Sequence, residues 1–210
     1  MRKTEFVNGE FYHIYNRGVE KRAIFSNSLD YERFLLSIFF LNNEQEGLIQ
    51  DWRDFKQTHP KAQPWELPRL SLGKPLVAVV AYCFNPNHYH FIIKQLLKKG
   101  IEKFMHRLGT AYTMFFNKKY RRSGALFQGR FKSIHIDSNE YLLYLSAYVN
   151  KNYTIHGYSK VEWRYSSLAE YKKKNQNKLN ICSTDSILGQ FKNIEEAALS
   201  FSPTLNFIYG

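Results

Sequence analysis

The spacing of apolar residues along the chain marks out seven regular segments. Residues 11–16, FYHIYN, are rich in aromatic and branched types and predict a strand, ended by Arg17 and Gly18. Residues 30–41 set Phe34, Leu35, Ile38 and Phe39 at helical spacing, with Asp30 or Ser28 available as the cap. Residues 76–84, LVAVVAYCF, form an unbroken apolar run, which predicts a buried strand, and residues 88–94, HYHFIIK, predict a second. Only Asn85, Pro86 and Asn87 lie between these two, and all three are turn residues, so the strands pair as an antiparallel hairpin. Residues 101–120 predict a long helix with Phe104, Leu108, Ala111 and Phe115 on one stripe, broken at Ser123-Gly124. Residues 126–136 are mostly strand-like. Asp137 followed three residues later by Glu140 has the form of a capping box and predicts a helix over 138–151.

The order strand, helix, strand, strand, helix, strand, then a further helix, is the split βαβ pattern. It predicts an α+β, ferredoxin-like fold, an antiparallel sheet with helices on one face. Two stretches stand outside it. Residues 43–75 contain Pro60, Pro64, Pro68 and Pro75 and read as an insertion or a short helix within a loop. From Tyr158 onward the chain reads as a C-terminal extension with a helical stretch over 186–200, and Lys172-Lys173-Lys174 as a solvated turn or linker. No internal repeat is visible.

Composition narrows the class. The longest apolar run is too short to span a bilayer, and the first ten residues, MRKTEFVNGE, lack the apolar core of a signal peptide, so a cytoplasmic protein is expected. Two cysteines, Cys83 and Cys182, make neither a disulfide framework nor a thiolate zinc site. The charge is uneven. Residues 94–132 hold 11 basic groups and a single acid, Glu102, whereas residues 1–93 hold 11 against 10 and residues 133–210 hold 8 against 7. So dense a basic block with interleaved aromatics suits a nucleic acid; the alternative is a solvated face kept for solubility.

His88 and His90 are the most informative pair. In a strand, positions two apart face one side, so both imidazoles can reach one ion. Imidazole with oxygen donors suits manganese, or magnesium when a substrate adds phosphate oxygens; the plain alternative is a polar strand face. On the last helix Tyr141, Leu145, Tyr148 and Asn152 share a face, as either a core stripe or one wall of a site. Tyr112 reads as packing or base stacking. His13 either touches DNA or is a satisfied polar residue. Lys118, Lys119, Arg121, Arg122, Arg130 and Lys132 are candidate phosphate contacts, because arginine is a fixed donor fork that is always charged.

Five segments taken together resemble a known family: YHIYNRG (12–18), AYCFNPNHYHFIIK (81–94), FMHRLGTAYTMFFNKKY (104–120), LFQGRFKS (126–133) and NEYLLYLSAYVNKN (139–152). They look like the one-tyrosine HUH transposases with the IS200-like domain, most closely the REP-associated tyrosine transposases. EWRYSSLAEY (162–171) is similar to the segment after the catalytic helix in that family. The resemblance implies a catalytic domain over 1–165 with an insertion at 43–75, and an extension over 166–210. It implies a metal-dependent endonuclease and strand transferase for single-stranded or hairpin DNA, acting through a covalent 5′-phosphotyrosine, as monomer or homodimer in a bacterial cytoplasm, nucleoid-associated when bound to DNA. His88, His90 and Asn152 would bind Mg2+ or Mn2+, and Tyr148 would be the nucleophile. Tyr153 stands where the family has proline, and Tyr89 where it usually has an aliphatic residue. The competing expectation is a domesticated module that binds hairpin DNA or RNA without cutting.

Overall fold

The computed structural model describes residues 5–158, 163–172 and 179–191. Four strands, β1 (Phe11–Arg17), β2 (Val77–Asn85), β3 (His88–Gln95) and β4 (Lys132–Ile136), form one antiparallel sheet in the order β2-β3-β1-β4. Three long helices, α1 (Ser28–Leu41), α3 (Gly100–Lys119) and α4 (Asn139–Ile155), pack on it, and α2 (Leu48–Thr58) lies in the proline-rich stretch. The α+β class, the hairpin and the ferredoxin-like strand order are as the sequence predicts. So is the short helix within 43–75.

The alternation of each strand builds one core on each face of the sheet, and a smaller cluster of Phe40, Leu48, Trp52 and Leu67 joins α2 to α1. Tyr12 and Ile14 of β1 and Tyr89, Phe91 and Ile93 of β3 point to the face covered by α1 and α3, where they meet Phe34, Ile38, Phe104, Leu108 and Tyr112. This is the face on which the split βαβ unit places its two helices. The further helix, α4, takes the opposite face. There Leu142, Leu145, Val149 and Tyr153 pack on Val80, Ala81, Cys83, Ile92 and Ile136. Two short turns, α5 (Leu168–Tyr171) and α6 (Asp185–Leu188), add Leu168, Tyr171 and Ile187 to this second core. α6 overlaps the start of the predicted helix over 186–200 but ends at Leu188, with 189–191 in turn and bend; residues 192–200 lie outside the described residues, as do Lys173 and Lys174.

β2 contains a register shift between Val79 and Ala81. Before it Val77 and Val79 face α1 and α3; after it Tyr82 and Phe84 do, while Ala81 and Cys83 turn to α4. A bulge adds one residue and so swaps the faces of everything beyond it.

Three of the differences between predicted and observed element ends have a visible cause. The cap of α1 is Asn27, with Asp30 at the third helical position, and the two form a reciprocal capping box. Asp30 is fully buried; it also accepts from Ser26 N at 2.8 Å and pairs with Lys119 Nζ at 2.6 Å, tying α1 to α3. The cap of α4 is Ser138, not Asp137: its backbone is still extended and its Oγ accepts from Tyr141 N at 3.2 Å. Residues 126–131 are loop rather than strand. Their apolar side chains Leu126, Phe127 and Phe131 pack on the α1/α3 core instead of alternating across the sheet.

Candidate active site

β3 presents His88 and His90 on the α4 face, with ring centroids 5.2 Å apart and planes nearly perpendicular. The bulge in β2 brings Asn85 to the same face, directly across the hairpin from His88. α4 supplies the opposite wall. The Tyr148 ring stands edge-on to His90 at 6.1 Å. One turn later Asn152, fully buried, sets Oδ1 3.3 Å from His88 Nε2. Asn85 Nδ2 donates to that oxygen at 2.6 Å and lies 2.9 Å from His88 Nε2. The missing proline leaves α4 free to run on to Ile155, and Tyr153 is buried in the second core, which anchors the residue beside Asn152. Tyr89 points to the other face and is buried there.

The Nδ1 side of both imidazoles is occupied. His88 Nδ1 is 2.6 Å from Asn87 Oδ1, which can only accept from it. His90 Nδ1 is 2.9 Å from His13 Nε2, and the rings of His13, Tyr15 and His90 cluster with centroids 5.0–5.8 Å apart. His88 therefore carries its proton on Nδ1 and keeps the Nε2 lone pair, and His90 does the same in the tautomer in which His13 Nε2 accepts. Burial reinforces this. It lowers His88 to about 4, helped by His156, whose ring sits 4.6 Å away, and lowers His13 to about 4. It holds His90 well below its ordinary value, with His13, His88 and His156 adding to the effect. All three are uncharged at neutral pH, the state a metal ligand requires.

His88, His90 and the Asn152 amide oxygen therefore fit a divalent ion of the magnesium or manganese kind. Among the described residues no cluster of three His, Cys, Asp or Glu side chains could hold a metal, and the Asn152 amide oxygen is the donor that stands beside the two imidazoles. Asn152 Nδ2 is buried with no hydrogen-bond partner among the described residues. Such an orphan costs about 1–3 kcal/mol, and aiming the oxygen at the histidines accounts for it.

A cleft of about 390 Å³ opens on His88 and His90 and is also lined by Arg17, Gln128 and Lys132. Of the predicted phosphate contacts, Lys132 lies here, and Lys118, Arg121 and Arg130 are exposed nearby in sequence. Lys119 and Arg122 are engaged within the protein, by Asp30 and by Asn117 and Ala125 O. Tyr112 is fully buried and donates to Ile24 O at 2.6 Å, which makes it packing and not a stacking platform. Sequence reasoning missed three contributors. Asn85 read as a turn residue, and nothing in an all-apolar strand announces a bulge. His13 read as merely satisfied, or in contact with DNA; its partner proves to be His90. His156 belongs to no motif in the sequence, and it packs on His88 from the C-terminal cap of α4.

A family model described as "Transposase IS200 like" matches residues 61–152, a span that contains β2, β3, α3, β4 and Tyr148 with Asn152. Over those residues the resemblance to the IS200-like transposases is borne out. Among solved structures the chain is similar to a REP-associated tyrosine transposase bound to a REP hairpin, with 13% identity, a TM-score of 0.50, and coverage of 85% of this chain and 88% of that one. At that identity the likeness establishes a shared fold. No curated protein matches the chain.

Proposed function

We propose that the chain is a single-strand DNA endonuclease and strand transferase that depends on a divalent metal and works through a covalent 5′-phosphotyrosine at hairpin-flanked sites. The observation that carries this is the meeting of four side chains from two elements: His88 and His90 on β3, Tyr148 and Asn152 on α4. A nucleophile beside uncharged ligand nitrogens is the arrangement that metal-assisted phosphoryl transfer needs.

In this reading Tyr148 Oη attacks the scissile phosphorus, and its proton passes to solvent. The bond from phosphorus to the 3′ oxygen breaks, and that oxygen takes up a proton as a free 3′ hydroxyl. The 5′ phosphate stays on the tyrosine, and a 3′ hydroxyl can reverse the step without ATP. His88, His90 and Asn152 would hold the ion, which supplies polarisation of a non-bridging phosphate oxygen. Asn85 holds the Asn152 oxygen in place, and His13 and Asn87 fix the imidazoles. Lys132, exposed on the same cleft, meets the strand's phosphates.

The test is incubation with manganese and single-stranded DNA from the flanks of the protein's own gene. The expected result is a protein–DNA adduct on a denaturing gel that is lost in chelator and in Tyr148→Phe, while Tyr148→Phe still binds the strand. Binding with no adduct under any divalent ion would instead support the non-cleaving module, and an adduct that survives Tyr148→Phe would remove that residue as nucleophile.

A further inference from the structure

The loop that follows β1 is wound around the hairpin turn and held in a strained shape. Gly18 N donates to Asn87 O at 2.8 Å and Ile24 N to Pro86 O at 2.7 Å, so both ends of the loop are tied to one turn. The winding is close: a Cβ added at Gly18 would stand 2.2 Å from Arg22 O. Between these ties Glu20 and Lys21 both lie in the left-handed region, with φ of 54° and 58°. Successive L residues are disfavoured there, and glycine is the unstrained choice. Strain fixed by its surroundings gathers at functional sites. Glu20 faces Arg22 at 3.9 Å in an exposed pair. Lys21 instead lines the cleft at the histidines, and among the described residues its ammonium has no ion-pair partner.

The place of Lys21 along that cleft points to its task. Asn87 Nδ2 donates to Lys21 O at 3.3 Å, while Asn87 Oδ1 accepts from His88 Nδ1. Lys21 is thus anchored at the His88 end of the pair, and Tyr148 stands at the His90 end. Of the other cations lining the cleft, Arg17 is engaged by Gln128, and Lys132 lies over the ring of Tyr15, which packs on His90. In an in-line displacement the attacking and leaving oxygens take opposite sides of phosphorus. With Tyr148 Oη attacking from the His90 end, the leaving oxygen faces the end that holds Lys21.

We infer that Lys21 is a further catalytic residue, whose ammonium meets the 3′ oxygen as it leaves phosphorus, an inference that rests on the phosphotyrosine reading above. As the bond from phosphorus to that oxygen lengthens, its electron pair stays on the oxygen and negative charge builds there. A hydrogen bond from a fixed cation is stronger to this oxygen than to the ester it came from. Lys21 keeps its own protons throughout, and the proton that completes the 3′ hydroxyl comes from solvent. A glycine loop would be more stable and would carry no cation.

The experiment compares two single strands from the flanks of the protein's own gene. One has the natural 3′ oxygen at the phosphate where the adduct forms; the other has sulfur in its place, a 3′-bridging phosphorothiolate. Sulfur leaves as a thiolate, a weak base that needs no cation beside it. Adduct formation is followed over a single turnover of the full chain with saturating strand and magnesium. On the oxygen strand Lys21→Gln should be about 100-fold slower than wild type, with the affinity for the strand little changed. On the sulfur strand the two proteins should react at similar rates. Lys21→Gly should show the same selective loss while raising Tm by about 2 °C, because glycine takes this backbone shape without strain. A defect of equal size on both strands would overturn the inference, since it would make Lys21 a support for the site or a holder of the phosphate. So would a Lys21→Gln chain that matches wild type on the oxygen strand, or a Lys21→Gly chain that melts below wild type. If the wild-type chain forms no adduct on either strand, the inference falls together with the reading beneath it. An adduct that forms equally fast without the ammonium sinks the lysine alone.

Discussion

His13 shows how much a single buried side chain can decide. Its Nε2 lies 2.9 Å from His90 Nδ1 and thereby selects which nitrogen of His90 faces the site. Replacing it with phenylalanine keeps the ring stack and removes the acceptor. Manganese affinity, measured by titration calorimetry, should fall about 10–100-fold, and His13→Gln, which restores an acceptor, should recover much of it. Equal losses in both variants would mean that His13 acts through packing alone. The same burial sets a pH dependence. His13 and His88 stand at about 4 in the fold against 6.5 in the unfolded chain, so the unfolded state binds more protons between those values. Stability of the metal-free protein should be complete above about pH 6.5 and drain away as pH falls toward 4. A melting temperature flat across that window would contradict neutral buried imidazoles.

The elements were legible in the sequence where periodicity is clean and obscure where it is not. The stripe on α3, the Asn-Pro-Asn turn and the alternation of β3 each dictate one structure, and they place the two histidines on one face. β2 is apolar on both sides, so its pattern cannot show the bulge that turns Asn85 toward Asn152. The loop over 126–131 mimics a strand because its apolar residues Leu126, Phe127 and Phe131 pack on the core. Helix starts slipped because several Asn, Asp and Ser residues stand together and only backbone geometry chooses among them. Asp30 illustrates the stakes. As a third-position residue it closes the box with Asn27 and also binds Lys119 and Tyr120. Asp30→Ala removes the charge partner of Lys119 and the capping contacts together, and should cost about 3 kcal/mol in urea denaturation. A loss below about 1 kcal/mol would mean that the α1–α3 tie is ornamental.

At the scale of the molecule, the basic block is less uniform than its composition suggests. Lys119 and Arg122 serve the fold, whereas Arg130 is exposed on a cleft between α3 and the loop over 125–131 and Lys132 on the cleft at the histidines. If a single strand tracks these clefts, neutralising Arg130 and Lys132 to Gln should flatten the salt dependence of binding by about 1.4 log–log units, and should do so on any sequence. An unchanged slope would make the block a solubility device. The two-faced packing has one more consequence. Because α4 folds back over the sheet that carries the histidines, Tyr148 and Asn152 meet His88 and His90 within one chain, and in the proposed reading the reactive group is built in cis. Defective copies should therefore be unable to mend each other: an equimolar mixture of Tyr148→Phe and His88→Ala should stay as dead as either alone, at any concentration. Recovery of adduct in the mixture would mean that tyrosines are traded between chains.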